Sequence, residues 1–246
     1  MKRSERHHLK ENELAQSVAR AREVLETKAR PIGGLVAAIV IVAAAVGGYA
    51  LWRQNLNARA SAMLAEAMVV ADAQVVAPAP ATDPKSPPPA PPPNSYPTEK
   101  AKLEAALAKF TAAADKYPRT QAGITARYHE ATTLAMLGRN AEAERQYQQV
   151  VDRNGDGIYG RMARLGLAEV RVHAERYDEA ITIYKDLTSS ATKDMPADAV
   201  LMRLANAYAA AGRPSDARQT LNRVVNEFPT SPYSTDARQE LDRMGQ

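Results

Sequence analysis

The sequence predicts an all-α chain: an N-terminal transmembrane helix followed by an α-solenoid of about four helical hairpins. Three observations carry this. Ile32 through Leu51 is a run of twenty residues with no charged or strongly polar side chain. From Ala106 onward an alanine-led set returns at 37-residue intervals. Ten of the sixteen prolines lie between Pro78 and Pro97, which confines the main helix-breaking stretch to one place.

Composition narrows the function classes. With 45% apolar and 24% charged residues, the chain is neither fully disordered nor collagen-like. It has no cysteine, which excludes a disulfide framework, a Cys-ligated zinc or iron–sulfur site, a thiol nucleophile and a lipid-modified cysteine. Residues 1–31 carry eight Lys/Arg against five Asp/Glu, and the remainder carries twenty-four against twenty-three. So even a balance argues against a nucleic-acid-coating domain.

Residues 1–31 read as a cytoplasmic basic arm. Leu14, Val18, Ala21 and Leu25 line one stripe of a helix, with charges on the other faces. The stripe serves either a partner or anionic lipid, or it is a solvated lead-in to the membrane helix. His7-His8 are adjacent and without further ligands, which makes a poor metal site.

Residues 32–52 form the transmembrane helix. Twenty helical residues rise about 30 Å, the thickness of a bilayer's hydrocarbon core. Pro31 suits the first helical turn, and Tyr49 and Trp52 fall where amphipathic rings prefer the headgroup boundary. Arg20, Arg22, Lys28 and Arg30 precede the span, while Arg53 and Arg59 follow it. That asymmetry keeps the N-terminus cytoplasmic and exports the rest. Ala60-Ser61-Ala62 is a conceivable signal-cleavage triplet, but a signal peptide has a shorter basic start and a shorter apolar core. Alanine–glycine pairs four apart, such as Ala43/Gly47, could seat a partner helix, though an alanine-rich span makes such pairs by chance.

Residues 53–77 read as the leading helix of a first repeat, with Met63, Leu64, Ala67 and Met68 on one side and helix expected over Leu56–Val76. Its partner is Glu99–Tyr117. Between them, residues 78–97 form a proline-rich insertion, extended or disordered, which serves as a spacer or as a ligand for an aromatic-lined domain. The repeat domain occupies 98–246.

In that domain Ala106, Phe110, Ala113 and Pro118 are answered by Ala143, Tyr147 and Val150, by Ala180, Tyr184 and Leu187, and by Ala217, Leu221, Val224 and Pro229. Spacings of 4 and 3 put each set on one helix face. A small residue beside a bulky one lets a neighbouring helix come close and then be gripped. Leading helices precede them. Leu201, Leu204, Ala205, Tyr208 and Gly212 stand before Ala217, and Ala131, Leu134 and Gly138 before Ala143. Before Ala180, Arg171 and Glu175 replace the bulky residue and the glycine, so this turn is expected to be the least regular. Asp236–Met244 suits a terminal capping helix.

These residues resemble the tetratricopeptide repeat, a helical hairpin of about 34 residues with this small–bulky–small signature and a nearby proline. The likeness is close for Leu201–Pro229, fair for Arg127–Val150 and Arg164–Leu187, and partial for the first copy. With the anchor included, the arrangement is similar to single-pass bacterial inner-membrane proteins related to the ancillary subunit of the Sec translocon. Periplasmic repeat proteins of the Tol-Pal and outer-membrane assembly systems are relatives. The resemblance implies a periplasmic, non-enzymatic scaffold for protein–protein interaction whose partners are translocon, chaperone or client proteins of the envelope. A Tol-Pal-type assembly or cell-division coordinator is the alternative. The proline-rich insertion departs from the translocon-type pattern.

No cofactor, nucleic-acid or small-molecule motif is present. Asp152-Arg153-Asn154-Gly155-Asp156-Gly157 opens like a calcium loop, but Ala163 stands where the bidentate glutamate belongs. A structural turn is the expectation. His129 and His173 lack metal-ligand spacing, and a membrane-anchored hydrolase would need a nucleophile–base pair that the sequence does not display.

The expected working surface is the groove lined by the leading helices. By register it comprises Tyr128, Thr132 and Met136, then Leu165, Glu169 and His173, then Met202 and Asn206 with Arg203 at the rim. Methionine, aromatic and neutral polar groups suit adaptable peptide or helix binding. Packing between neighbouring hairpins is the other role open to these residues.

Overall fold

A computed structural model describes residues 3–77, 92–189 and 195–245, with side chains from residue 34 onward. The proline-rich stretch 78–91 and the side chains of the basic arm, including His7-His8 and the Leu14–Leu25 stripe, lie outside the described residues. The chain divides into two compact units, Met1–Asn55 and Leu56–Gln246.

The first unit is helical from Arg3 and belongs to α1 (Arg3–Ala71). Pro31 therefore falls inside a helix, not in its first turn as the sequence suggests; the arm before it is rich in the helix-favouring residues Glu, Ala, Arg and Leu. Leu35, Val36, Ile39, Val40, Ile41, Val42, Val46 and Leu51 are all exposed. Gly34–Ala71 is long and apolar enough to cross a membrane by length and composition.

The second unit is a stack of antiparallel helices, each packed on the next. After the end of α1 come α2 (Glu99–Lys116), α3 (Gln121–Met136), α4 (Asn140–Asn154), α5 (Ile158–His173), α6 (Tyr177–Ser189), α7 (Ala197–Ala210), α8 (Pro214–Glu227) and α9 (Tyr233–Gly245). Thr98 and Thr120 cap α2 and α3 by accepting from the Ala101 and Gly123 amides at 3.1 and 3.0 Å. Pro214 opens α8, where a missing N–H costs nothing.

Helix α1 stops at Ala71, short of the Val76 that periodicity predicts. Asp72 breaks the apolar pattern, and the β-branched Val75 and Val76 precede Pro78, which disfavours helix before it. Instead β1 (Gln74–Val75) pairs in parallel with β2 (Ser95–Tyr96), and the Val76 amide donates to the Tyr96 carbonyl at 2.9 Å.

The alanine anchors explain the stacking. Ala106, Ala143, Ala180 and Ala217 are each at most 1% exposed, so no larger side chain fits between the helices there. Among the described residues, three clusters make the core. Ala67 of α1 joins Ala106, Phe110, Ala113, Ala114 and Ala126, with Met63, Leu64 and Met68 packed alongside. Ala131, Leu134, Ala143, Tyr147, Val150 and Leu167 form the second, and Tyr184, Leu201, Leu204, Tyr208, Leu221 and Val224 belong to the third.

The turns between paired helices share one hydrogen-bond pattern. The Arg139 and Arg213 amides donate back to the Leu134 and Tyr208 carbonyls at 2.9 Å, across Gly138 and Gly212 with φ of +73° and +70°. The middle turn repeats it: the Arg176 amide donates to the Arg171 carbonyl at 2.9 Å, with Glu175 at φ +59°. That turn is therefore as regular as the others: Glu175 takes the conformation that glycine takes in the other two and the same hydrogen bond closes. Arg139, Arg176 and Arg213 also recur at the 37-residue period, paired with Glu142, Glu179 and Asp216 at 2.7, 3.5 and 2.8 Å.

Charge is buried in the second hairpin. Arg127 donates to Glu130 at 2.8 Å and to Asp115 of α2 at 2.5 Å, and Arg127 and Glu130 are 8% and 4% exposed. Burial, with the adjacent Arg127 opposing it, holds the Glu130 carboxyl above its ordinary range.

Candidate binding face on the leading helices

Residues three and four apart share a helix face, so α3, α5 and α7 each present a row of side chains. The 37-residue period makes Tyr128, Leu165 and Met202 equivalent, and likewise Thr132, Glu169 and Asn206. Met136, His173 and Asn206 are exposed; the other six candidates are half-buried. Tyr128 packs against the second core cluster, and Leu165 and Met202 against the third. These three thus support the packing of the hairpins as well as lining the face.

The structure joins four of the candidates into two polar links. Arg203 Nε donates to Glu169 Oε1 at 2.8 Å, tying α7 to α5 with both side chains still 40–45% exposed. The Tyr147 hydroxyl donates to Thr132 Oγ1 at 3.1 Å, and Thr132 Oγ1 donates to the Tyr128 carbonyl at 3.1 Å. Tyr128 stands 5.5 Å from the Tyr159 ring and 6.1 Å from Tyr147. Aromatic surface and a half-exposed ion pair thus occupy neighbouring hairpins.

A second series runs one residue beyond the Tyr128 register. His129 stacks on Phe110 at 5.2 Å; Gly166 lies under Tyr147; Arg203 sits in the electrostatic reach of Tyr184. The first two meet the bulky residue of the preceding trailing helix directly, and Arg203 acts on its counterpart through charge. A Cβ at Gly166 would lie 2.4 Å from Tyr147 Cζ, so only glycine admits this ring.

Burial sets the ionisation states of these side chains. Burial pushes the Tyr147 phenol up to about 12, against the Thr132 hydrogen bond and helped by Tyr128 and Glu169. Burial also raises Tyr184, as does Glu169, while Arg203 opposes. Tyr128 is raised by burial in the same way. All three are hydroxyl donors near neutral pH, not phenolate bases. Burial holds His129 below its ordinary value, with Asp72 partly opposing.

Sequence reasoning missed Tyr159 and the hydroxyl of Tyr147. The readable cue for the second was the series Phe110, Tyr147, Tyr184 and Leu221, in which two members carry a hydroxyl that a purely apolar contact does not require.

Of the Asp152–Gly157 segment, Asp152–Asn154 end α4 and Gly155–Gly157 form the turn into α5. Gly155 has φ +42°, Asp152 accepts from Gln148 Nε2 at 2.8 Å, and Asp156 pairs with Arg164 at 3.3 Å. Among the described residues, no three His, Asp or Glu side chains converge as a metal-binding group.

A family model described as a tetratricopeptide repeat-like domain matches residues 31–242, a range that includes the apolar segment. A search among curated proteins finds no match. Among solved structures, the Podosopora anserina putative kinesin light chain with nearly identical TPR-like repeats is similar at 17% identity and TM-score 0.51. A single-substitution variant of that protein gives 17% and 0.52; in both, 58% of this chain and 77% of the other are covered. A tetratricopeptide repeat protein from Parabacteroides merdae gives 16% identity and TM-score 0.49, over 59% and 55% of the two chains. At 17% identity the likeness to the kinesin light chain repeats is one of fold.

Proposed function

Because this chain belongs to the tetratricopeptide repeat-like family, we propose that it is a membrane-anchored scaffold whose leading-helix face captures envelope proteins. A repeat-like solenoid of this kind serves protein–protein interaction. The observation that carries the reading is the row of half-buried and exposed side chains across α3, α5 and α7: Tyr128, Thr132, Met136, Leu165, Glu169, His173, Met202, Arg203 and Asn206. Flexible methionines and aromatic rings adapt to an apolar segment, while Glu169, Arg203 and Asn206 give it polar registration.

The anchor is the exposed apolar part of α1. Cations concentrated before it orient the N-terminus to the cytoplasm of a bacterial cell and the repeat domain to the periplasm. Its partners are then translocon components, periplasmic chaperones or exported clients, as the resemblance to the translocon ancillary family implies. A Tol-Pal-type coordinator of assembly or division uses the same face for peptidoglycan-associated partners. A membrane-anchored hydrolase is the distant alternative, and it needs a nucleophile–base pair that the sequence does not display.

Photo-crosslinking residues placed at Met136 and Asn206 of the intact membrane protein test the reading. Captured translocon or chaperone peptides support it, and peptidoglycan-associated proteins support the coordinator. Crosslinks equal in amount and identity to those from an exposed α8 position such as Arg218 overturn the binding face. Digestion of the repeat domain by protease added to the cytoplasmic side of sealed vesicles overturns the orientation.

A further inference from the structure

We propose that Tyr49, Trp52 and Arg53 form a binding site for the phosphodiester of a phospholipid headgroup. The inference rests on the membrane-anchor reading and adds a ligand to it. Positions 49, 52 and 53 are spaced i, i+3 and i+4, so they share one face of α1. The two rings stand 5.9 Å apart at 33°, each nearly 60% exposed. Arg53 Cζ lies 5.9 Å from the Tyr49 ring centroid. Attraction to a ring face consumes none of the five N–H donors of a guanidinium.

Among the described residues, no carboxylate pairs with Arg53. From Thr27 to Ala65 the sequence contains no Asp or Glu. Its helical neighbours three and four positions away are Tyr49, Ala50, Leu56 and Asn57, all neutral. Arginine does not lose its proton, so the compensating anion comes from outside this segment. Ahead of the cluster the helix exposes an uninterrupted apolar surface from Leu35 to Leu51. An acceptor that lies beside an end of such a surface, beside amphipathic rings and within reach of a cation, is the lipid phosphate. A guanidinium fork matches it with two parallel hydrogen bonds.

Trp52 is the only tryptophan, so it reports the site without labelling. The full chain is reconstituted in phosphatidylcholine–phosphatidylglycerol vesicles whose lipids carry bromine at graded acyl depths, and Trp52 quenching is read. Wild type is expected to be quenched most by the shallowest bromines. In Arg53→Gln the ratio of shallow to deep quenching falls about twofold, and Arg53→Lys lies between, since a point charge lacks the fork. Superimposable quenching profiles for wild type and Arg53→Gln overturn the phosphate site while leaving the anchor intact. A wild-type tryptophan that no bromolipid quenches overturns the anchor itself, and the site with it.

Discussion

The hydroxyl of Tyr147 reaches Thr132 Oγ1 at 3.1 Å, so the trailing helix of the second hairpin holds a residue of its own leading helix in place. The Tyr147 ring passes over Gly166 of the next leading helix on its way. Gly166→Ala should therefore destabilise the protein by about 1–3 kcal/mol through overpacking, outweighing the gain of up to about 1 kcal/mol that alanine offers a helix. Chemical denaturation of the purified protein measures the sum. Tyr147→Leu in the same background should restore most of the loss, because the ring that clashes is gone.

Glu175 occupies a left-handed conformation that Gly138 and Gly212 adopt at equivalent positions. A non-glycine residue there costs about 1–2 kcal/mol, partly offset by the freedom glycine adds to the unfolded chain. Glu175→Gly is expected to stabilise by about 0.5–1 kcal/mol and raise Tm, while Gly212→Ala lowers it. Scanning calorimetry that finds Glu175→Gly neutral or harmful would show that the side chain compensates for its backbone.

Arg127 and Glu130 fill places that Leu201 and Leu204 hold two copies later. Arg127→Met strands a buried carboxylate and should cost about 3–5 kcal/mol. The double change Arg127→Leu with Glu130→Leu should recover nearly all of it, since an apolar pair in this register already packs in the fourth hairpin. A double-mutant cycle by urea titration reads the coupling, and Asp115 provides the third corner.

The lowered His129 gives stability a pH signature. Folded His129 binds its proton less tightly than the unfolded chain does, so its contribution is fully present above the ordinary value of 6.5 and is lost as pH falls through and below it. One such group contributes a slope of at most about 1.4 kcal/mol per pH unit. Glu130 works in the opposite sense, because its raised value makes stability recover as pH falls toward 4.5. Unfolding free energies between pH 7.5 and 5.5 should decline in wild type and flatten in His129→Phe. Equal slopes in the two would assign the decline elsewhere.

Much of this architecture was legible because its signals are local and repeated. The Ala106, Ala143, Ala180 and Ala217 anchors mark close approaches that recur, and Gly138 and Gly212 mark turns with an explicit backbone demand. What escaped depends on neighbours distant in sequence. Glu175 adopts its positive φ in the hydrogen-bonded turn joining α5 and α6, although its own preference points elsewhere. Arg127 and Glu130 look like surface charges until Asp115 of the preceding helix is placed beside them. The β1–β2 pairing joins segments twenty-one residues apart, with nothing in Gln74 or Ser95 to announce it. Among the candidate residues on the leading helices, equivalence of position follows from the repeat period, but the Glu169–Arg203 link required the spacing between two helices.

The short parallel ladder that sets Gln74 and Val75 beside Ser95 and Tyr96 fastens the two exits of the proline-rich stretch to each other. Closure of that stretch is already made at its neck, and doubling its length would add only about 0.6 kcal/mol. It is accordingly the natural seam of the molecule. An epitope or fluorescent reporter spliced in place of residues 78–91 should leave thermal unfolding unchanged, whereas the same cargo between α5 and α6 should not.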